Sequence, residues 1–67
     1  MNSIYTISYV LKSEIENGKF DVSAVQSKRV RASDATRAIS AVKGELVDSG
    51  DIKSPGDVKI LEARIGF

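Results

Sequence analysis

The residues of this sequence best suited to chemistry are its charged ones, and they are unevenly spread. Segment 28–43 carries Lys28, Arg29, Arg31, Arg37 and Lys43 against the single acid Asp34, a net of +4. Segment 1–27 sets Lys12 and Lys19 against Glu14, Glu16 and Asp21, a net of −1. Segment 44–67 sets Lys53, Lys59 and Arg64 against Glu45, Asp48, Asp51, Asp57 and Glu62, a net of −2. Clustered guanidinium and ammonium groups suit carboxylates on a protein or phosphates on a nucleic acid. The whole chain carries only +1, which argues against wholesale polyanion binding.

Catalytic chemistry finds little support. The chain has no histidine and no cysteine, so the commonest nucleophile–base pairs, disulfides and the usual zinc ligand sets are all missing. Glu14 and Glu16 flank a turn and read as solvated loop charges rather than an acid–base pair. Asp48, Asp51 and Asp57 do not follow the spacing of a calcium-binding EF-hand loop. Gly44, Gly50 and Gly56 form no phosphate-cradling loop. The expectation is a non-enzymatic protein with no metal and no cofactor.

Any binding role therefore depends on which elements present the cations. "SIYTISYVLKS" alternates, with Tyr5, Ile7, Tyr9 and Leu11 on one parity and Ile4, Thr6, Ser8 and Val10 on the other, which predicts a strand with an apolar odd face. Asn17-Gly18 suits the two positive-φ positions of a type I′ hairpin turn. A two-residue loop there sets Ile15 opposite Phe20, Ser13 opposite Val22, Leu11 opposite Ala24, Tyr9 opposite Gln26, Ile7 opposite Lys28 and Tyr5 opposite Val30. The odd face then gathers Phe20, Val22, Ala24 and Val30. Lys28 also falls on this apolar face, which calls for a snorkelling side chain or a bulge near Gln26.

"RASDATRAISAVKGELVDSGD" predicts a helix. Ser33 is the expected N-cap, and Asp34 sits at the positive end of the helix dipole. Ala35, Ala38, Ile39, Val42 and Leu46 make one apolar stripe. Gly50 is the expected stop. Gly44 inside the helix suggests close packing on the sheet. Pro55-Gly56 suits the centre of a type II turn. "VKILEARIGF" predicts a last strand, with Leu61, Ala63, Ile65 and Phe67 inward and Val58, Ile60, Glu62 and Arg64 outward.

The order β-β-α-β in 67 residues predicts one domain, 1–67, of α+β class. Its three-stranded antiparallel sheet has order 2-1-3 and one helix on one face. The other face is left open. On it the expected protein-binding residues are Arg29, Arg31 and Arg64 as polar contacts, with Val10, Val25 and Ile60 as apolar ones. The alternative is nucleic-acid binding through Lys28, Arg29, Arg31 and Arg37. The expected sheet face would lack the rings that stack bases, because Tyr5 and Tyr9 point to the helix side. A homodimer through the open face is a further alternative. No apolar run approaches the roughly 20 residues of a membrane span. The start does not read as a signal peptide, and the lack of cysteine fits a reducing compartment. The expected location is the cytoplasm, with no membrane partner.

The succession "FDVSAV", "ASDATRAISAV" and "VKILEARIGF" resembles small phage-encoded host-takeover proteins. Among these is an inhibitor of bacterial RNA polymerase built from a three-stranded sheet and one helix. The resemblance is topological and covers most of the chain. It implies a protein that binds a host protein and changes its activity; it transfers no functional residue and no target.

Overall fold

A computed structural model describes residues 2–66. Strand β1 (Ser3–Leu11), strand β2 (Gln26–Ala32), helix α1 (Ala35–Ser49) and strand β3 (Val58–Ile65) follow one another along the chain. The sheet has order β2-β1-β3 and both pairings are antiparallel, as the sequence predicts. The strand with the most apolar residues on both faces is the central one.

Tyr5, Ile7 and Tyr9 of β1 form the sheet side of the core. Ala38, Val42 and Leu46 of α1 form the helix side, and Ala32, Ile52 and Val58 complete it. Ala35 and Ile39 of the predicted stripe pack against this cluster, partly buried. Gly50, at φ 84°, ends α1 in the left-handed region that glycine tolerates. The Asp51 N–H then donates to the Leu46 carbonyl at 3.0 Å, and this reversal delivers Ile52 to the core. Ile52 has no periodic neighbour, so the stripe alone does not identify it.

Five local expectations change. The N-cap is Asp34, not Ser33: its Oδ1 accepts the Arg37 N–H at 2.8 Å. Gly44 does not serve close packing, since a Cβ placed there meets nothing within 4 Å. "SPGD" forms a 3-10 turn over Pro55–Asp57 rather than a type II turn, which would need a positive φ at Gly56. The Asp57 carboxylate reaches back to accept the Ser54 N–H at 3.2 Å, and this closes the tighter turn.

The hairpin departs furthest. Its tip is as expected: Asn17 and Gly18 have φ 53° and 75°, and Glu16 and Lys19 exchange two backbone hydrogen bonds of 2.8 and 2.9 Å. Between tip and sheet, however, 3-10 turns at Lys12–Glu14 and Val22–Ala24 interrupt the ladder. Asp21 caps the second by accepting the Ser23 N–H at 3.1 Å, a side-chain bond that competes with strand pairing. Each arm spends three residues on its turn, so the register is the same on both sides of the interruption. Phe20, Val22 and Ala24 therefore leave the core face; Val22 is 84% exposed.

In β3, Tyr5, Thr6, Ile7 and Ser8 pair with Ile65, Arg64, Ala63 and Glu62, but Tyr9 pairs with Ile60. Leu61 is the extra residue of a β-bulge. Val58 and Ile60, expected outward, turn to the helix side, and Leu61, expected inward, is 37% exposed. Phe67, also expected inward, lies outside the described residues.

Candidate binding face

The even residues of β1 define the face away from α1, and the strand pairings place its charges. Thr6 stands between Arg29 on β2 and Arg64 on β3. One row along, Ser8 stands between Ser27 and Glu62, and on the other side Ile4 pairs with Arg31. With strands about 4.8 Å apart, Arg29 and Arg64 are separated by about 10 Å at the backbone. Arg29, Arg31 and Arg64 are all exposed. The Arg64 Nη2 lies 3.3 Å from the Glu62 Oε2, a surface pair open to solvent. Such pairs contribute about 0–1 kcal/mol, so Glu62 does little to hold Arg64 from another acceptor. Ile4, Arg29, Val30 and Arg31 line a shallow depression of about 260 Å³.

The bulge at Leu61 revises the membership of this face. Ile60 leaves it and packs against the helix-side core. Lys59 joins it, paired with Val10 and exposed. The phase slip in "VKILEARI" carries the signal: apolar alternation runs Val58, Ile60 and then restarts Leu61, Ala63, Ile65. Val10 is on the expected face but is 0% exposed and lies outside the helix-side cluster. It is structural and not available to a partner. Val25 is half-buried just before β2. Among the described residues the face thus carries four cations, Arg29, Arg31, Lys59 and Arg64, against Glu62, around a centre of Thr6 and Ser8.

The nucleic-acid set does not converge. Lys28 pairs with Ile7, and the β1–β2 ladder has no register shift there, so no bulge rescues it. It is half-buried on the helix side. Arg37 is in the first turn of α1, its Nε 3.8 Å from Asp34 Oδ2. The helix start is occupied by its own aspartate, which repels a bound anion.

Tyr5 and Tyr9 are buried in the core, at 8% and 2% exposure, so neither presents a ring to the open face. The Tyr9 hydroxyl donates to Gln26 Oε1 over a long 3.4 Å. Burial raises its pKa above the ordinary value, helped by the charges of Asp51 and Glu45. Among the described residues, no group of three or more acidic, histidine or cysteine side chains converges as a metal site. No helix among them is long and apolar enough to cross a membrane. No protein-family model, no curated protein and no solved structure matches this chain.

Proposed function

We propose that this chain is a small non-enzymatic binding protein whose open sheet face engages an acidic patch on a protein partner and alters that partner's activity. The observation that supports this reading is the set of three guanidinium groups, Arg29, Arg31 and Arg64, on one face that presents no ring among the described residues. Guanidinium is planar and pairs bidentately with carboxylates. A cytoplasmic location and a role of the host-modulating kind found in the phage group belong to the same proposal.

Two alternatives fit less well. Single-strand nucleic-acid binding by a sheet uses exposed rings, and both tyrosines are buried. A face-to-face homodimer would bring the same excess of positive charge against itself, which is unfavourable.

The test compares recovery of protein from a cell extract by the wild-type chain and by the Arg29→Glu/Arg31→Glu variant. Both positions are exposed, so the variant is expected to fold, which circular dichroism checks. The expected result is loss of a captured acidic protein. Unchanged recovery rejects the face. Labelled single- and double-stranded nucleic acid is titrated in parallel at two salt concentrations. Salt-sensitive binding that the variant abolishes would assign the face to nucleic acid instead.

A further inference from the structure

The open face has little apolar surface to offer. Its centre is Thr6 and Ser8, Val10 is sealed, and Ile4 is half-buried. Charge pairs at an exposed surface add little affinity by themselves. A partner held here needs another source of binding energy, and the sheet edges are the remaining candidates, since an edge strand carries a row of unpaired N–H and C=O groups.

The two edges differ. β3 is broken by the bulge at Leu61, and its outward charges, Glu62 and Arg64, pair with each other. The bulge disfavours pairing with another strand, and the mutual pairing of Glu62 and Arg64 leaves no net charge between them to select one. β2 pairs with β1 over seven consecutive residues without a register shift, contains no proline, and carries Lys28, Arg29 and Arg31 with no acid. Its alternation sorts these groups: Arg29 and Arg31 look to the open face, whereas Val30 packs against the rim of the core.

Resting on the binding-face reading above, we propose that the partner supplies an extended segment that adds to the outer edge of β2 as a fourth strand. The pattern of β2 specifies its chemistry. Carboxylates at alternate positions face Arg29 and Arg31, and the apolar residue between them covers Val30. Backbone hydrogen bonds hold the segment, and the alternating side chains select it, as in strand addition generally. A second copy of this chain is a poor occupant. Antiparallel pairing of β2 with itself centred on Val30 sets Arg29 of each copy against Arg31 of the other, and centring it on Arg29 opposes the two Arg29 side chains; like charges directly opposed destabilise a sheet.

The test uses the full chain and a synthetic peptide alternating glutamate and valine. Its controls are the same peptide with lysine for glutamate, and the same peptide N-methylated at alternate residues on its pairing edge. Binding is followed by backbone amide NMR, with hydrogen exchange measured on the complex. The acidic peptide is expected to bind, with new exchange protection concentrated in 26–32. N-methylation and the Arg29→Glu/Arg31→Glu variant are each expected to weaken binding at least about tenfold. Equal binding of the N-methylated peptide overturns strand addition while leaving an acidic partner on the open face intact. Equal binding of the lysine peptide overturns both readings. No binding of the acidic peptide at millimolar concentration overturns strand addition, and the extract experiment then decides the face on its own. Protection of 26–32 that grows with protein concentration in the absence of peptide assigns the edge to a second copy and overturns the proposal.

Discussion

Deleting Leu61 should leave this protein folded. In an ordinary strand, removing one residue reverses the facing of everything beyond it. Here Leu61 is the extra residue of the bulge, and its removal joins Ile60 directly to Glu62. Tyr9–Ile60, Val10–Lys59 and Leu11–Val58 then continue the ladder set by Ser8–Glu62 without a shift. The cost is the buried part of one side chain. A fully buried leucine contributes up to about 3 kcal/mol. Leu61 is 37% exposed, so the loss is at most about 2 kcal/mol, partly offset by the repaired ladder.

Deleting Ala63 removes the same length of chain but is expected to behave differently. It brings Glu62 opposite Ile7, toward the core, where an unpaired carboxylate costs several kcal/mol. A domain of this size has about 3–10 kcal/mol to lose. Urea denaturation followed by circular dichroism measures both deletions. The expected outcome is a cooperative transition for the Leu61 deletion within about 2 kcal/mol of wild type, and a far less stable or unfolded Ala63 deletion. A Leu61 deletion that loses the cooperative transition, or costs more than the Ala63 deletion, would refute the bulge assignment and return Ile60 to the open face.

Other measurements examine the remaining elements. Gly44→Ala, in an exposed helical position with open space for the methyl group, should stabilise by about 1 kcal/mol and raise the melting temperature by about 7 °C; a decrease would mean that the position is packed. Asp34→Ala removes the N-cap and should cost about 1 kcal/mol, whereas Ser33→Ala should change stability by less than half of that. The raised pKa of Tyr9 means that the folded state holds its proton more tightly than the unfolded state does. That contribution is complete below about pH 10 and declines as pH climbs through the folded value. Denaturation at a series of alkaline pH values should show a steeper fall for wild type than for Tyr9→Phe; parallel curves would remove the assignment.

Much of the fold is legible in the sequence because its signals are local. Asn17-Gly18 sets the turn, and the turn sets which residues of β1 and β2 face one another, from Tyr9–Gln26 to Ile4–Arg31. The same register places Arg29 and Arg31 on one face. The helical stripe and Gly50 fix α1 in the same way. The chain between tip and sheet departs from the expected strands because register and strand conformation are separate matters. Two 3-10 turns of equal length conserve the register while releasing Phe20 and Val22 from the core.

The remaining decisions belong to the tertiary structure. The inward face of a strand is defined only by its neighbours, so a bulge in β3 moves Ile60 into the core, Lys59 onto the open face and Leu61 toward solvent. Val10 has the parity of a surface residue, yet it is fully buried, whereas Ile4, Thr6 and Ser8 of the same parity stay partly exposed. The order of the elements, the hairpin register and the side on which Arg29, Arg31 and Arg64 emerge are local properties of the chain, because turn chemistry and periodicity act over a few residues. Which apolar residues accompany those arginines is settled by packing, because exposure depends on contacts between segments far apart in the chain.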